Sequence, residues 1–238
     1  KEIYEESKHG IAFKAYKDEM NLDSAKWVVG VDYTAAPTCA TCHMGATRNQ
    51  DSTHNVGARI SWTNRPPVSV RPEVMDAKMG LASAELKWDK RRENMQDVCA
   101  ACHTEEYVNN FYIQYDSLIE LYNNKYALPG KELMAAAKPL LKPAKFSNKV
   151  EWTWFELWHH EGRRARMAAS MMAPDYTHWH GTYDLAKHWY TKFVPQLEDL
   201  IAKGNKAGGD KAKAADALQK KLDEILSNED HKWYLGKK

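Results

Sequence analysis

The chain has 238 residues, a formal net charge of +2 and 28% charged residues, so it has no strong overall charge. Basic residues are not interleaved with aromatic ones as a nucleic-acid groove requires, so we expect no nucleic acid partner. Nowhere is there a run of about 18 apolar residues, so we expect no membrane span. Hydrophobic residues make up 43% of the chain and include 9 Trp and 12 Tyr, enough for a core rich in large flat rings.

The first third of the chain predicts short helices followed by irregular structure. Residues 1–27 read as one or two helices, with His9 near a turn. The segment KEIYEESKHG has no apolar stretch typical of a signal peptide. We therefore expect that a signal has been removed or that this is the later part of something longer. Residues 36–75 have three prolines in NRPPVSVRPE and no clear period, which favours a loop wrapped on a cofactor.

The remainder predicts helices separated by short breaks. Residues 81–98 form a helix on the spacing of Ala84, Trp88, Met95 and Val98. Residues 105–128 form a long helix that LPG ends, with a stripe of Tyr107, Phe111, Tyr115, Leu118 and Tyr122 interpreted as helix packing. A short helix over 131–142, interrupted near Pro139, and a long helix over 151–172 follow. In the latter, Arg163, Arg164 and Arg166 match either cofactor carboxylates such as propionates or a solvated basic turn.

The last third predicts a break, two helices and a linker. APDYTHWHG is the expected break, and residues 182–201 form a helix with a kink at Pro195. KGNKAGGDK reads as a flexible linker, and residues 211–227 as a small peripheral amphipathic helix. The predicted fold class is therefore predominantly α, with long helices and irregular loops that wrap a cofactor.

All four cysteines lie in two copies of one motif. Cys39 and Cys42 precede His43 in CATCH, and Cys99 and Cys102 precede His103 in CAACH. The C-x-x-C-H pattern is the attachment signature of c-type haem. Two thiols at this spacing reach the two vinyl groups of one porphyrin, and the adjacent histidine becomes the proximal iron ligand. We therefore predict two covalent haems c and, in a bacterium, an extracytoplasmic compartment.

Other uses of these cysteines explain the pattern less well. A thioredoxin-like dithiol needs one C-x-x-C in a βαβ context and does not explain the following histidine. A Cys₄ zinc site fits poorly because the two pairs are much further apart than in a zinc ribbon. Disulfides would not place a histidine directly after the second cysteine in both copies.

The chain has 10 histidines, more than two haems require. Two are proximal, and His231 in the polar tail is interpreted as a surface or satisfied core residue. His188, on a mixed helix face, is interpreted as structural rather than ligating. The candidate distal ligands are His9, His54, His159, His160, His178 and His180. The pairs in WHH and HWH lie among aromatic residues, and some of them are expected to ligate haems that this chain does not carry.

Several longer stretches resemble one family. CATCHMGATRNQDSTHNVGARISW, CAACHT, WHHEGRRARM and MMAPDYTHWHG resemble the carboxy-terminal part of octahaem hydroxylamine oxidoreductases, which include the hydrazine dehydrogenases of anaerobic ammonium oxidisers. The resemblance covers roughly residues 5–200. It implies a helical, trimeric assembly with eight c-type haems, seven of them bis-histidine relays and one catalytic.

The resemblance also implies an activity and a further site. The expected function is oxidation of hydroxylamine or hydrazine, with the two haems as electron relays; some branches instead reduce nitrogen oxides. In oxidative members a tyrosine bonds covalently to the catalytic haem of the neighbouring subunit. The matching position here is Tyr176, with Tyr183 as the alternative; either ring can also merely pack on a porphyrin edge.

The chain departs from the family in having two motifs instead of eight. The attachment motif of the catalytic haem is missing, so this chain is half of a split enzyme, a processed fragment or a free-standing dihaem electron carrier. Expected partners are other haem-carrying subunits, a homotrimer or higher multiple, a small nitrogenous substrate and a redox partner cytochrome. The expected location is the periplasm, or the anammoxosome lumen in an anaerobic ammonium oxidiser.

The expected domain organisation has three parts. Residues 1–130 form the dihaem region, and residues 131–203 carry the histidine and aromatic cluster with the inter-subunit tyrosine. Residues 204–238 form the linker and the peripheral helix.

Overall fold

The computed structural model describes residues 1–80 and 86–237. These residues are predominantly helical, as predicted, and their β pairing consists of two isolated bridges, Val29 with Tyr33 and Thr63 with Val70. The described α-helices are α1 (Glu2–Glu6), α2 (Lys8–Ala15), α3 (Cys39–His43), α4 (Pro72–Lys78), α5 (Trp88–Ala100), α6 (Glu105–Tyr122), α7 (Leu128–Ala137), α8 (Lys149–Phe155), α9 (Gly162–Ser170), α10 (Pro174–Tyr176), α11 (Tyr183–His188), α12 (Val194–Ala207) and α13 (Gly209–Leu226).

Wider helical turns join several of these helices into continuous runs. Four π-helical segments lie at Asn123–Ala127, Glu156–Glu161, Thr177–Thr182 and Trp189–Phe193. Short 3₁₀ turns lie at Lys17–Glu19, Val56–Arg59, Lys138–Leu140 and Lys232–Leu235. π-helical turns are rare and occur frequently at functional sites. Two of the four contain WHH and HWH, the histidine pairs that the sequence singles out.

Helix boundaries differ from the sequence prediction at two places where a break was expected. LPG does not end a helix, because Pro129 lies in the first turn of α7, where a missing N–H costs nothing. APDYTHWHG is not a break either. The chain turns earlier, at residues 171–173, and becomes helical again at Pro174, which starts α10. The predicted helix over 81–98 begins at Trp88 in the structure, and its Ala84 lies outside the described residues.

The predicted flexible linker KGNKAGGDK is instead a tight helical hairpin. α12 continues to Ala207 and α13 begins at Gly209, with Gly208 at φ 72° between them. This left-handed conformation suits glycine and reverses the chain in one residue. The amphipathic helix is therefore not peripheral: Leu218 is fully buried and α13 packs on α12 and α7.

The described chain divides into two compact units. The first unit comprises residues 1–117 and 167–176, and the second comprises 118–166 and 177–238. No helix in the described part of the chain is long and apolar enough to cross a lipid bilayer.

A small core holds the first unit together. Met20, Val29, Tyr33 and Val98 are buried in it, and the ring of Trp27 stacks on Tyr33 at 4.4 Å. These residues come from the amino-terminal segment, the loop before α3 and the last turns of α5. The core therefore holds both cysteine motifs next to well-packed residues.

Contacts between arginines, aromatic rings and one aspartate hold the irregular segment between α3 and α4 against α5 and α6. The guanidinium of Arg71 lies 3.7 Å from the ring centre of Trp62 and 3.8 Å from that of Trp88. Asp116 accepts two hydrogen bonds from Arg92, at 2.7 and 2.6 Å, and one from Trp62 Nε1 at 2.8 Å. Stacking on aromatic faces suits the planar guanidinium of Arg71. The two hydrogen bonds to Asp116 fix the orientation of the Arg92 guanidinium.

Candidate haem-binding site

The first motif, CATCH, forms the short helix α3, whose two ends are both held. Thr38 and Thr41 form a capping box at its start: Thr38 Oγ1 accepts from the Thr41 N–H at 3.2 Å, and Thr41 Oγ1 accepts from the Thr38 N–H at 3.0 Å. Tyr33 donates to Thr41 Oγ1 at 2.7 Å. A five-residue helix is too short to be stable alone, so these caps preorganise Cys39 and Cys42.

Arg59 closes the other end of α3. Its buried guanidinium donates to the carbonyls of Thr41 and Cys42, each at 3.2 Å, and of Gly45 at 2.8 Å. Helix ends leave carbonyls without partners, and a cation is favourable there. Burial lowers the pKa of Arg59. Sequence reasoning missed this residue, because nothing in the motif shows which distant side chain caps it.

The second motif, CAACH, continues from the end of α5. Asp97, one turn before it, accepts from Thr47 Oγ1 and Gln50 Nε2, each at 2.6 Å, and from Asn49 Nδ2. These donors lie in the loop just after the first motif. Asp97 therefore ties the two motifs together, and its hydrogen bonds lower its pKa despite the opposing effect of burial. Sequence reasoning also missed Asp97; its position two residues before Cys99 is the only signal.

The surroundings of the thiols differ from those of a redox-active dithiol. None of the four cysteines forms a disulfide. Burial raises the pKa of Cys42 to about 11 and that of Cys99 to about 12, and the nearby thiols add to the effect. Redox-active dithiols have lowered thiol pKa values, so these pairs do not have the electrostatics of a thioredoxin-like site. Free thiols beside a histidine are the donor set that covalent haem attachment requires.

The imidazole rings of His9 and His103 lie close together. Their ring centroids are 6.1 Å apart with an interplanar angle of 44°. Metal–imidazole bonds are about 2 Å long, so two imidazoles on opposite sides of one metal ion have centroids roughly 6 Å apart. The spacing therefore fits one iron between the two rings. Tyr107 stacks on His103 at 4.6 Å and restricts its rotation.

His43 is partly buried, whereas His54, its candidate partner, is exposed. The Nδ1 atom of His43 is buried and has no hydrogen-bond partner among the described residues. Burial lowers the pKa of His43, which keeps the imidazole neutral, as an iron ligand must be. His54 lies in the loop that follows, and its side chain is exposed.

The histidine pairs of WHH and HWH lie in the second unit. His159 stacks on Phe155 at 4.4 Å, and its Nε2 accepts from Arg163 at 3.0 Å. His160, His178 and His180 are exposed. Beside them, Trp152 is 52% exposed and Trp179 is 57% exposed. The second unit thus presents imidazoles and large aromatic rings at its surface.

Among the arginines considered for propionates, Arg166 has a different role. It is fully buried and lies 3.9 Å from the ring centre of Tyr122. It donates to the carbonyls of Gly162 and Trp158, at 2.7 and 2.9 Å. These two carbonyls lie at the junction of a π turn with α9, where the guanidinium satisfies them.

The two candidate tyrosines differ sharply in exposure. Tyr176 is 3% exposed, and its hydroxyl donates to Glu2 Oε1 at 2.8 Å. It packs with Ala168, Ala173 and Ile3. Tyr183 is 49% exposed.

His231 is a core residue rather than a ligand candidate. It is fully buried, and Nδ1 lies 2.8 Å from the Tyr190 hydroxyl, while Nε2 lies 2.9 Å from the Lys125 carbonyl. Its ring stacks on Trp189 at an angle of 17°. Both ring nitrogens are used by the protein, which leaves none for iron.

Comparison with known families decides what the two motifs are. Residues 1–126 match the family described as "Seven times multi-haem cytochrome CxxCH". The chain belongs to the multihaem cytochrome family. This multihaem cytochrome therefore binds haem c covalently, with Cys39 and Cys42 in one attachment motif and Cys99 and Cys102 in the other.

Two solved structures share the fold of this multihaem cytochrome. One, titled a hypothetical multiheme protein, has a TM-score of 0.70 and 24% identity over 87% of this chain and 53% of that chain. The other, the reducing HAO-like protein complex of Kuenenia stuttgartiensis, has a TM-score of 0.63 and 15% identity, covering 89% of this chain and 54% of that chain. The cytochrome thus spans about half the length of these structures. No curated protein matches it.

Proposed function

We propose that this multihaem cytochrome is the electron-relay part of an oxidoreductase that acts on small nitrogen compounds, of the hydroxylamine oxidoreductase type. Oxidation of hydroxylamine or hydrazine is the first candidate reaction. The observation that carries the relay role is the close pair of rings of His9 and His103. These two residues would hold one haem iron, which would then have no open position for substrate and would supply electron exchange only.

The protein side of this role is to hold the ligands and to limit access. Haem c supplies reversible one-electron chemistry when bound. Tyr107 holds the ring of His103, and burial keeps His9 neutral by lowering its pKa. Arg59 and Asp97 hold the two attachment motifs in one rigid arrangement, which suits rapid electron transfer between neighbouring sites.

Exposed imidazoles support a larger assembly. His160, His178 and His180 lie at the surface beside exposed tryptophans, and one of the structures with a similar fold is a protein complex. We therefore propose that other haem-bearing polypeptides, in a trimer or a higher multiple, supply the remaining haems and the catalytic one. Since c-type haem attachment takes place outside the bacterial cytoplasm, an extracytoplasmic location follows from this proposal, as does a cytochrome redox partner.

A reductive reaction is the second candidate. One relative is a reducing HAO-like complex, and Tyr176, the first candidate for a cross-link, is buried against Glu2. Covalent attachment of a tyrosine belongs to the oxidative members that the sequence resembles. If a cross-link exists, the exposed Tyr183 reaches a neighbouring subunit without any displacement of α1.

The relay role is tested at His9. In the intact protein we expect low-spin spectra and no binding of carbon monoxide to the reduced haem at the second motif. His9→Ala should open one coordination position, giving a high-spin signal and carbon monoxide binding. Lys8→Ala, on the same helix, is the matched control and should leave the spectra unchanged. A wild-type haem that already binds carbon monoxide, or a His9→Ala haem that stays low-spin, contradicts the assignment.

The larger assembly has its own test. The haem content and the solution mass of the native complex should exceed two haems per copy of this chain, in a particle larger than a dimer. A stable monomer with two haems and full electron-transfer activity would instead identify a free-standing dihaem carrier.

A further inference from the structure

A buried carboxylate holds one histidine of the second unit in a fixed orientation. Glu161, at the end of the π turn Glu156–Glu161, is only 5% exposed. Its Oε1 contacts the Nδ1 of His188, the last residue of α11. Its Oε2 is buried and has no hydrogen-bond partner among the described residues. Among the described residues, His188 is therefore the hydrogen-bond partner of the Glu161 carboxylate.

This contact determines which ring nitrogen of His188 is available. An ionised carboxylate only accepts hydrogen bonds, so Nδ1 carries the proton and Nε2 keeps a free lone pair. The His188 side chain is 19% exposed, and the described residues provide no partner for Nε2. A carboxylate on the opposite ring nitrogen also makes the ligand more basic and is the usual second contact of a metal-bound histidine.

The charges around Glu161 favour a cation at His188. Besides its own carboxylate, Glu161 has two acidic residues close enough to interact with it, Asp184 and Glu156. A buried carboxylate with one unsatisfied oxygen and two acidic neighbours is destabilised unless positive charge lies near it. A metal ion on Nε2 supplies that charge through the ring.

Two other histidines of the second unit, His159 and His231, lack this arrangement. Both nitrogens of His231 are bonded within the core, and Nε2 of His159 accepts from Arg163. His188 combines a fixed ring, a free Nε2 and a nearby excess of negative charge.

We propose that His188 is an axial ligand, through Nε2, of a haem iron carried by another polypeptide, and that Glu161 is the residue that positions it. The inference rests on the proposed function, which places the chain among other haem-bearing subunits. Haem iron fits better than a free metal ion, because a zinc site needs three or four protein ligands. No group of three or more His, Cys, Asp or Glu side chains that could hold a metal ion occurs in residues 1–80 and 86–237. Haem iron needs only one imidazole on each face.

The orientation of the ring is tested by nitrogen-15 NMR of the reduced protein, in which six-coordinate iron is diamagnetic. We expect His188 to carry its proton on Nδ1 in the wild type. A proton on Nε2 would overturn the proposal, and this measurement needs no variant.

The ligand role is tested with a reduced haem c peptide that has one axial histidine and one open coordination position. Its binding should shift the ring proton signals of His188 strongly upfield and convert the peptide to low spin. Glu161→Gln should weaken binding at His188 by roughly 10- to 100-fold, the usual cost of losing a second contact of a metal ligand. Asp184→Asn, which removes a nearby charge but not the contact, is the matched control and should weaken binding less than Glu161→Gln.

The outcomes separate this inference from the proposed function. If the signals of His160, His178 or His180 shift and those of His188 do not, the assembly proposal keeps its support and the role of His188 is wrong. If no histidine binds the peptide, both lose their support. His188→Gln, which retains a side-chain amide facing Glu161, should fold and lose binding at this site. Unchanged binding in that variant overturns the assignment.

Discussion

Asp97→Ala should release the loop after the first haem motif from the helix that carries the second. The carboxylate accepts hydrogen bonds from Thr47, Gln50 and Asn49. Thr47 is buried and Gln50 is half-buried, whereas Asn49 is exposed, so two of the three bonds are shielded from water. Hydrogen bonds to a charged group contribute about 1.5–3 kcal/mol each when shielded, so we expect a loss of about 3 kcal/mol.

Hydrogen exchange of the holo-protein measures this loss where it occurs. Amide protons of residues 44–50 and of the last turns of α5 should exchange about 100-fold faster in Asp97→Ala, the factor that corresponds to about 3 kcal/mol. Glu93→Ala is the matched control, since Glu93 lies on the same helix in a solvent-exposed pair with Lys90. Such a pair contributes at most about 1 kcal/mol.

The pH dependence of the same contact gives a second check. Because hydrogen bonds lower the pKa of Asp97 in the folded protein, its stabilisation is present at neutral pH. It is lost as the pH falls below the unfolded value of about 3.9 and through the folded value. If Asp97→Ala and Glu93→Ala exchange at equal rates at neutral pH, Asp97 does not couple the motifs and the reasoning is refuted.

Three further outcomes are expected. Burial lowers the pKa of His231, so its stabilisation of the carboxy-terminal tail is complete above the unfolded pKa of about 6.5 and is lost as the pH falls below it. Hydrogen exchange of the tail should therefore show lower protection at pH 5 than at pH 8, and His231→Phe should abolish this difference. Gly181→Ala places a Cβ 2.5 Å from the Ala165 backbone, and thermal unfolding should show a loss of about 1–3 kcal/mol. Peptide mapping of the native complex should find any haem-linked tyrosine at Tyr183; a link at Tyr176 would contradict the exposure argument, and two unmodified peptides would favour reductive chemistry.

Local sequence pattern was sufficient for the cofactor and the fold class. Attachment of one porphyrin requires this thiol spacing and the adjacent histidine, so CATCH and CAACH can be recognised as haem attachment motifs without any tertiary information. The helical periodicity of residues 105–128 and 211–227 likewise predicts helices. The structure confirms helices there as α6, which ends earlier at Tyr122, and α13. Both features depend on neighbours within a few positions along the chain.

The sequence predicted the breaks between helices less accurately than the helices themselves. Pro129 and Gly208 have their usual local effects, but proline is tolerated in a first helical turn and glycine can make a one-residue reversal instead of a linker. The choice depends on what lies opposite: α13 buries Leu218 and Leu222 against its neighbours, which stabilises a hairpin that composition alone predicts to be flexible.

The sequence by itself determined which groups are available for chemistry: four thiols, their adjacent histidines and an excess of imidazoles. Only the tertiary structure decided which of them meet. His9 and His103 are far apart along the chain, yet their ring centroids lie 6.1 Å apart. Both ring nitrogens of His231 are bonded within the core, and Glu161 contacts Nδ1 of His188. Such long-range pairings depend on packing between distant segments, which no short-range periodicity encodes.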